Sequence, residues 1–114
     1  MGRVRRGDVV LAAEAGDYGK PRPWLIMQAD HYNDSQRPGS VLVCPFTTHH
    51  EAAPYRIPLD LPAGDSHRRS WVMVDKLTAI KRERLGAKIA SASPGQLDAV
   101  ERAMINLLGI DRDK

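Results

Sequence analysis

Gly19-Lys20-Pro21-Arg22-Pro23-Trp24-Leu25-Ile26-Met27 places an arginine between two prolines and runs directly into an apolar strand. Each proline fixes its own φ and holds the residue before it in extended backbone. Arg22 is therefore presented at a strand entrance by a stiff segment. A guanidinium held that way can clamp a phosphate or carboxylate through paired N–H groups. A surface arginine in a proline turn has the same local sequence, so these residues alone leave both readings open.

Upstream, Asp8 to Ala13 follows the Arg6-Gly7 turn and reads as a first strand. Glu14 to Pro23 holds two glycines and two prolines in ten residues and reads as a loop. Downstream, Trp24 to Gln28 is the second strand. Asp30 to Gly39 is polar and turn-rich, a loop with room for one helical turn. Ser40 to Phe46 is a strongly β-forming run. Thr47 to Pro54 is a loop, Tyr55 to Leu59 a strand, and Pro62-Ala63-Gly64-Asp65 a turn. Ser70 to Leu77 is read as one strand, and its successive Trp71, Val72, Met73 and Val74 fit burial on both sides. The chain closes on a helix. Ser93 caps it, Pro94 takes the first position and Gln96 completes a capping box. Leu97, Val100, Met104 and Leu107 form one packing stripe, and Gly109 ends the helix. Four or five short strands followed by a helix predict a small, strongly bent antiparallel sheet or barrel.

The 114 residues suffice for one domain, and 42% hydrophobic content supports one core. A net charge of +3 is compatible with a nucleic-acid partner without demanding one. The single Cys44 excludes an internal disulfide and sits in an apolar run, where it reads as a buried small hydrophobe. No apolar stretch approaches the ~18 residues of a membrane helix, and no secretory signal opens the chain, so a cytoplasmic location is expected.

Phosphate-loop, dinucleotide and zinc spacings are absent from the sequence. What remains is a polar set near strand ends: Lys20 and Arg22, Thr47 and Thr48, Asp75 and Lys76. An arginine could bind phosphate in a bidentate manner, and a threonine hydroxyl could donate to developing negative charge. Asp75 reads equally as a structural carboxylate. His49 and His50 are adjacent, so in extended backbone they point opposite ways and only one would face a site.

Taken together, the segments resemble the MazF/PemK toxin family of bacterial type II toxin–antitoxin systems over nearly the whole chain. The resemblance rests on Arg6-Gly7-Asp8-Val9-Val10, Gly19-Lys20-Pro21-Arg22-Pro23, Val43-Cys44-Pro45-Phe46-Thr47-Thr48, Ser70-Trp71-Val72-Met73-Val74-Asp75, Leu85-Gly86 and the terminal Leu107-Leu108-Gly109. It implies a mainly β, SH3-like β-barrel with a C-terminal helix, one domain over residues 1–114, acting as a homodimer. It also implies cofactor- and metal-independent cleavage of single-stranded mRNA at short sequences, with control by a cognate antitoxin protein. Its catalytic residues would match Arg22, Thr47 and Asp75. RNA contacts would fall to Asp17, Tyr18, Lys20, Thr48, His49 and Lys76. Tyr18 would stack on a base or close its loop.

The chain departs from the family pattern at two places. Ala15-Gly16-Asp17-Tyr18-Gly19 is shorter than the first loop of many relatives, and Met73 stands where some carry a catalytic arginine. The general base stays open among Asp17, Asp75 and a loop histidine. Two other functions fit the same fold: a CcdB-like toxin that binds DNA gyrase without nuclease activity, and an inactive SH3-like binding module.

Overall fold

A computed structural model describes residues 3–14, 19–35 and 37–110. The strands are β1 (Asp8–Ala12), β2 (Arg22–Ile26), β3 (Ser40–Thr47), β4 (Arg56–Pro58), β5 (Leu61–Ala63), β6 (Ser66–Arg68), β7 (Trp71–Met73), β8 (Thr78–Lys81) and β9 (Lys88–Ser91). Two helices join them, the single-turn α1 (Asp30–Asn33) and the long α2 (Pro94–Leu108). The main sheet is antiparallel with the order β4-β7-β3-β2-β1-β9, and β5–β6 form a separate hairpin.

β3 organises the bend. On one edge it pairs with β2 through Val43–Pro45. On the other edge its first half pairs with β8 and its last two residues with β7. The sheet therefore folds across β3, while its outer strands β4 and β9 stay unpaired to each other. The mainly β class with a C-terminal helix is as expected, but strand pairing leaves the barrel open.

Successive residues of the central strands go to opposite faces. Val9, Leu25, Cys44, Val72 and Val74 join Val100 of α2 in one buried cluster. Val10, Trp24, Ile26, Val41, Val43 and Ile80 form a second. Both faces of β1–β3 are thus buried, which explains their near-continuous apolar sequence.

β2 starts at Arg22, two residues earlier than the sequence predicts, and includes Pro23. A proline is tolerated there for a local reason. Leu11, its partner, sends both backbone groups to β9's side, bonding Ala87 and Gly86. The Leu11–Pro23 pair is thus not hydrogen-bonded, and the proline nitrogen faces away from β1. On that side the β2–β3 ladder has already ended at Trp24 and Pro45, so no ladder bond is lost. Gly86 is required by the same contact. A Cβ on it would lie 2.8 Å from the Leu11 carbonyl oxygen.

The segment from Ser70 to Leu77 is not one strand. β7 ends at Met73, a 3-10 turn spans Val74–Lys76, and β8 then pairs with the other half of β3. The chain needs this corner because β3 serves both halves of the sheet. Val72 and Val74 are fully buried while Trp71 and Met73 are half-buried, so burial is one-sided rather than two-sided. The hairpin β5–β6 and strands β8 and β9 were not expected, since runs of three or four residues carry too little alternation to read.

α2 behaves as its sequence predicts at both ends. Ser93 Oγ accepts the Gln96 N–H at 3.1 Å, and Gln96 Oε1 accepts the Ser93 N–H at 2.8 Å. Gly109 takes the left-handed conformation at φ 71°. Ser93→Ala should lower unfolding free energy by about 1 kcal/mol, measurable by urea denaturation. The apolar stripe departs from expectation toward its end. Val100 is buried, whereas Leu107 is 43% exposed.

Candidate RNA-binding groove

The end of the β2–β3 ladder opens into a groove of about 520 Å³. Arg22 and Pro23 of β2 line it with Phe46, Thr47 and Thr48, and the β5–β6 hairpin supplies Leu61 and Arg68. The β2–β3 ladder ends at Trp24 and Pro45; Arg22 and Thr47 each lie two residues beyond that pair, and both line the groove. The strand pairing thus brings together the two groups that the sequence places 25 positions apart.

The Thr47 hydroxyl oxygen accepts the His49 N–H at 3.1 Å. That bond turns the chain after β3 and orients the hydroxyl, whose own hydrogen can still be donated. Among the described residues, the groove lining holds two guanidinium groups and no carboxylate. Such a lining attracts an anion, and the forked guanidinium geometry suits a phosphate.

Arg68 was missed from the sequence because its hairpin was missed. The available signal is Gly64-Asp65, a two-residue turn of the Gly-Asp type between two short runs. Gly64 takes φ 64° there. The buried Ser70 hydroxyl donates to the Arg68 carbonyl at 3.2 Å and anchors the hairpin's exit.

The other expected site residues are placed differently. Thr48 lines the groove, while Lys20 and His49 are exposed beside it in sequence and outside its lining. Asp17 and Tyr18 lie outside the described residues. Asp75 and Lys76 sit on the 3-10 corner, not in a strand and not in the groove lining. Asp75 accepts a forked pair from Arg56, Nε to Oδ1 at 3.1 Å and Nη2 to Oδ2 at 3.2 Å. Arg56 stands directly across from Met73 on β4, so a guanidinium does occupy this region, but it is bound to the neighbouring carboxylate.

Burial pushes the Asp75 pKa up, and the hydrogen bonds and charge of Arg56 more than offset that, leaving it below the ordinary carboxylate value. An acid so held is a poor base at neutral pH and a good anchor. Because the folded-state pKa is lowered, the stabilisation is present above the unfolded carboxylate pKa, about 4. It is lost as pH falls through the lower folded value. Because the pair is exposed to solvent, Asp75→Asn should cost only about 0.5–1 kcal/mol at pH 7. The gap from wild type should close in acid, as followed by urea denaturation between pH 3 and 7.

Burial, followed by the Asp75 charge, raises the Cys44 thiol pKa to about 12. It stays protonated at neutral pH and is no nucleophile. Among the described residues, no group of His, Cys, Asp or Glu is arranged to hold a metal ion. None of the described helices is long and apolar enough to cross a membrane.

A bent antiparallel sheet with a C-terminal helix, and a groove lined by two arginines at a strand end, define a small β-rich protein with a candidate anion site. The model of the PemK-like, MazF-like toxins of type II toxin–antitoxin systems matches residues 5–108. The chain belongs to that family. It is 38% identical over 110 residues to a probable endoribonuclease MazF of Mycolicibacterium smegmatis, covering 94% of this chain and 98% of that protein. It is similar in fold to an endoribonuclease from a mycobacterial species, solved in complex with its cognate antitoxin. That match has a TM-score of 0.76 at 19% identity, over 96% and 98% of the two chains. A MazE–MazF crystal structure from Deinococcus radiodurans superposes with a TM-score of 0.73 at 25% identity, over 96% and 98%.

Proposed function

We propose that this chain is the toxin of a type II toxin–antitoxin system and a sequence-selective endoribonuclease that cleaves single-stranded mRNA. The observation that supports this reading is that Arg22 and Thr47 line one groove, whose lining among the described residues also includes Arg68. The ribose 2′-oxygen attacks the adjacent phosphorus, a 2′-O–P bond forms and the P–O5′ bond breaks. The products are a cyclic phosphate and a 5′-hydroxyl, whose oxygen takes its proton from solvent water. Arg22 holds the charge of the phosphorane, and Thr47 donates to a non-bridging oxygen. Arginine stays protonated at neutral pH, so it serves as an electrostatic clamp rather than a base. The engagement of Asp75 by Arg56 leaves Asp17 and a loop histidine as the groups to take the 2′-hydroxyl proton. Lys20 and Arg68 steer the RNA backbone through salt-dependent attraction.

The Arg22–Thr47 pair and the 38% identical relative support a nuclease over a gyrase-binding toxin or an inactive module. An acidic antitoxin segment that folds onto the groove would block RNA entry, in keeping with the antitoxin complexes of two similar structures. The protein acts in the cytoplasm, where mRNA is available.

A second groove, of about 450 Å³, lies beside α2 and is lined by Met27, Leu42, Leu77, Met104, Ile105 and Leu108. Leu42, Ile105 and Leu108 are 43%, 41% and 58% exposed. Contiguous apolar surface of this kind marks an interface, and a second copy of the chain fits it.

Incubating the purified protein with a long single-stranded RNA in EDTA, followed by mapping of product ends, tests the assignment. Cyclic-phosphate ends at recurring short sequences are expected. Intact RNA accompanied by gyrase-dependent DNA breakage would replace the nuclease with the gyrase reading.

A further inference from the structure

Thr47 has a partner on each side of β3. Toward β2 the register leads to Arg22; toward β7 it pairs with Trp71, which pairs in turn with Pro58 of β4. Opposed residues share a face. The Trp71 backbone therefore stands one strand spacing, ~4.8 Å, from that of Thr47, the residue proposed to bind the phosphate, and just outside the groove lining. A base joined to that phosphate through its ribose can reach the indole.

Trp71 is only half-buried, and an aromatic ring already lies over it. The His50 imidazole stacks on the indole with ring centroids 4.8 Å apart and planes 27° from parallel. His50 itself is exposed, in the segment that follows the Thr47–His49 turn. At 4.8 Å no third ring fits between the two. A nucleobase on this face must take the place of His50.

We propose that Trp71 is the stacking platform for a nucleobase flanking the scissile phosphate, and that His50 occupies the base's position until RNA binds. The proposal rests on reading the groove as an RNA site and adds to it the side chain that recognises one neighbouring base. Every base has a π-face, so stacking supplies affinity at that position. The room left when His50 moves sets which base fits.

The test uses an uncleavable, all-2′-deoxy oligonucleotide of the cleaved sequence, titrated into the protein while tryptophan fluorescence is followed. The second tryptophan, Trp24, is 7% exposed and donates its ring N–H to the Ala12 carbonyl, so it reports little of the groove. Wild type should be quenched on binding. Trp71→Phe should bind within about 3-fold of wild type without quenching, because a phenyl ring still stacks. Trp71→Ala should weaken binding by about 5- to 150-fold, the range that base–aromatic stacking spans. In a cleavage panel varied one base at a time, it should lose discrimination at one position only. His50→Ala should bind about 2- to 5-fold tighter, because the competing ring is gone. If Trp71→Ala fails to fold, the contrast between wild type and Trp71→Phe decides. Binding and cleavage with no quenching in wild type, or quenching only by the antitoxin, would overturn the platform and leave the nuclease standing. No RNA binding or cleavage at all would overturn both.

Discussion

Arg22→Ala should lower the rate of RNA cleavage by about 10²- to 10³-fold, the usual effect of removing one preorganised donor from a developing oxyanion. The side chain is exposed at the start of β2, so the loss should fall on the chemical step and not on folding. Thermal midpoints of variant and wild type should agree within a few degrees. Arg22→Lys keeps the charge and forfeits the fork, and should recover only a small part of the activity. Thr47→Val removes the opposed hydroxyl. Its effect in the Arg22→Ala background should be smaller than alone, because both groups act on one phosphate. Single-turnover cleavage of a short oligonucleotide, with cyclic-phosphate product resolved, measures wild type and all four variants. An Arg22→Ala rate equal to wild type would remove this residue from the reaction. Arg68→Ala should behave otherwise, weakening binding across sequences and lowering the salt slope by about 1.

Replacing Ile105 and Leu108 together by glutamate should convert the protein from dimer to monomer. Both lie on the exposed half of α2, beside the groove that Leu42 and Met27 line. Each glutamate would bring an unpaired charge into an apolar interface. Central interface positions commonly cost about 2 kcal/mol or more each. Two such losses raise a dissociation constant by about 10³-fold. The monomer should still fold, because the buried anchor of the helix is Val100, whose cluster lies on the sheet side. Sedimentation equilibrium of the 12.6 kDa chain reports the change directly. An unchanged mass in the double variant would exclude this face as the contact between copies. Glu101 sits at the rim in an ion pair with Arg6, so rim charge accompanies the apolar centre, as interfaces commonly show.

Much of this protein is written in local sequence. The capping box of Ser93 and Gln96, the left-handed Gly109, the single helical turn after Ala29 and the longer strands all follow from backbone preferences within a few residues. Such signals survive in the sequence because they need no distant partner. Arg22 and Thr47 were legible as candidates for the same reason, each standing beside a strand end.

Other features depend on which strands meet. That β3 serves two partners on one edge forces the corner at Val74–Lys76, and this removes Asp75 from a strand and gives it to Arg56. No periodicity announces that pairing, because the two residues are 19 positions apart. Arg68 entered the groove on a hairpin of three-residue strands, too short for alternation to show. The stacking of His50 on Trp71 spans the same kind of gap. Dihedral preference and capping act along the chain, so a reader of the chain can find them. Register, shared edges and ring contacts act across it, and they appear only once the sheet has chosen its neighbours.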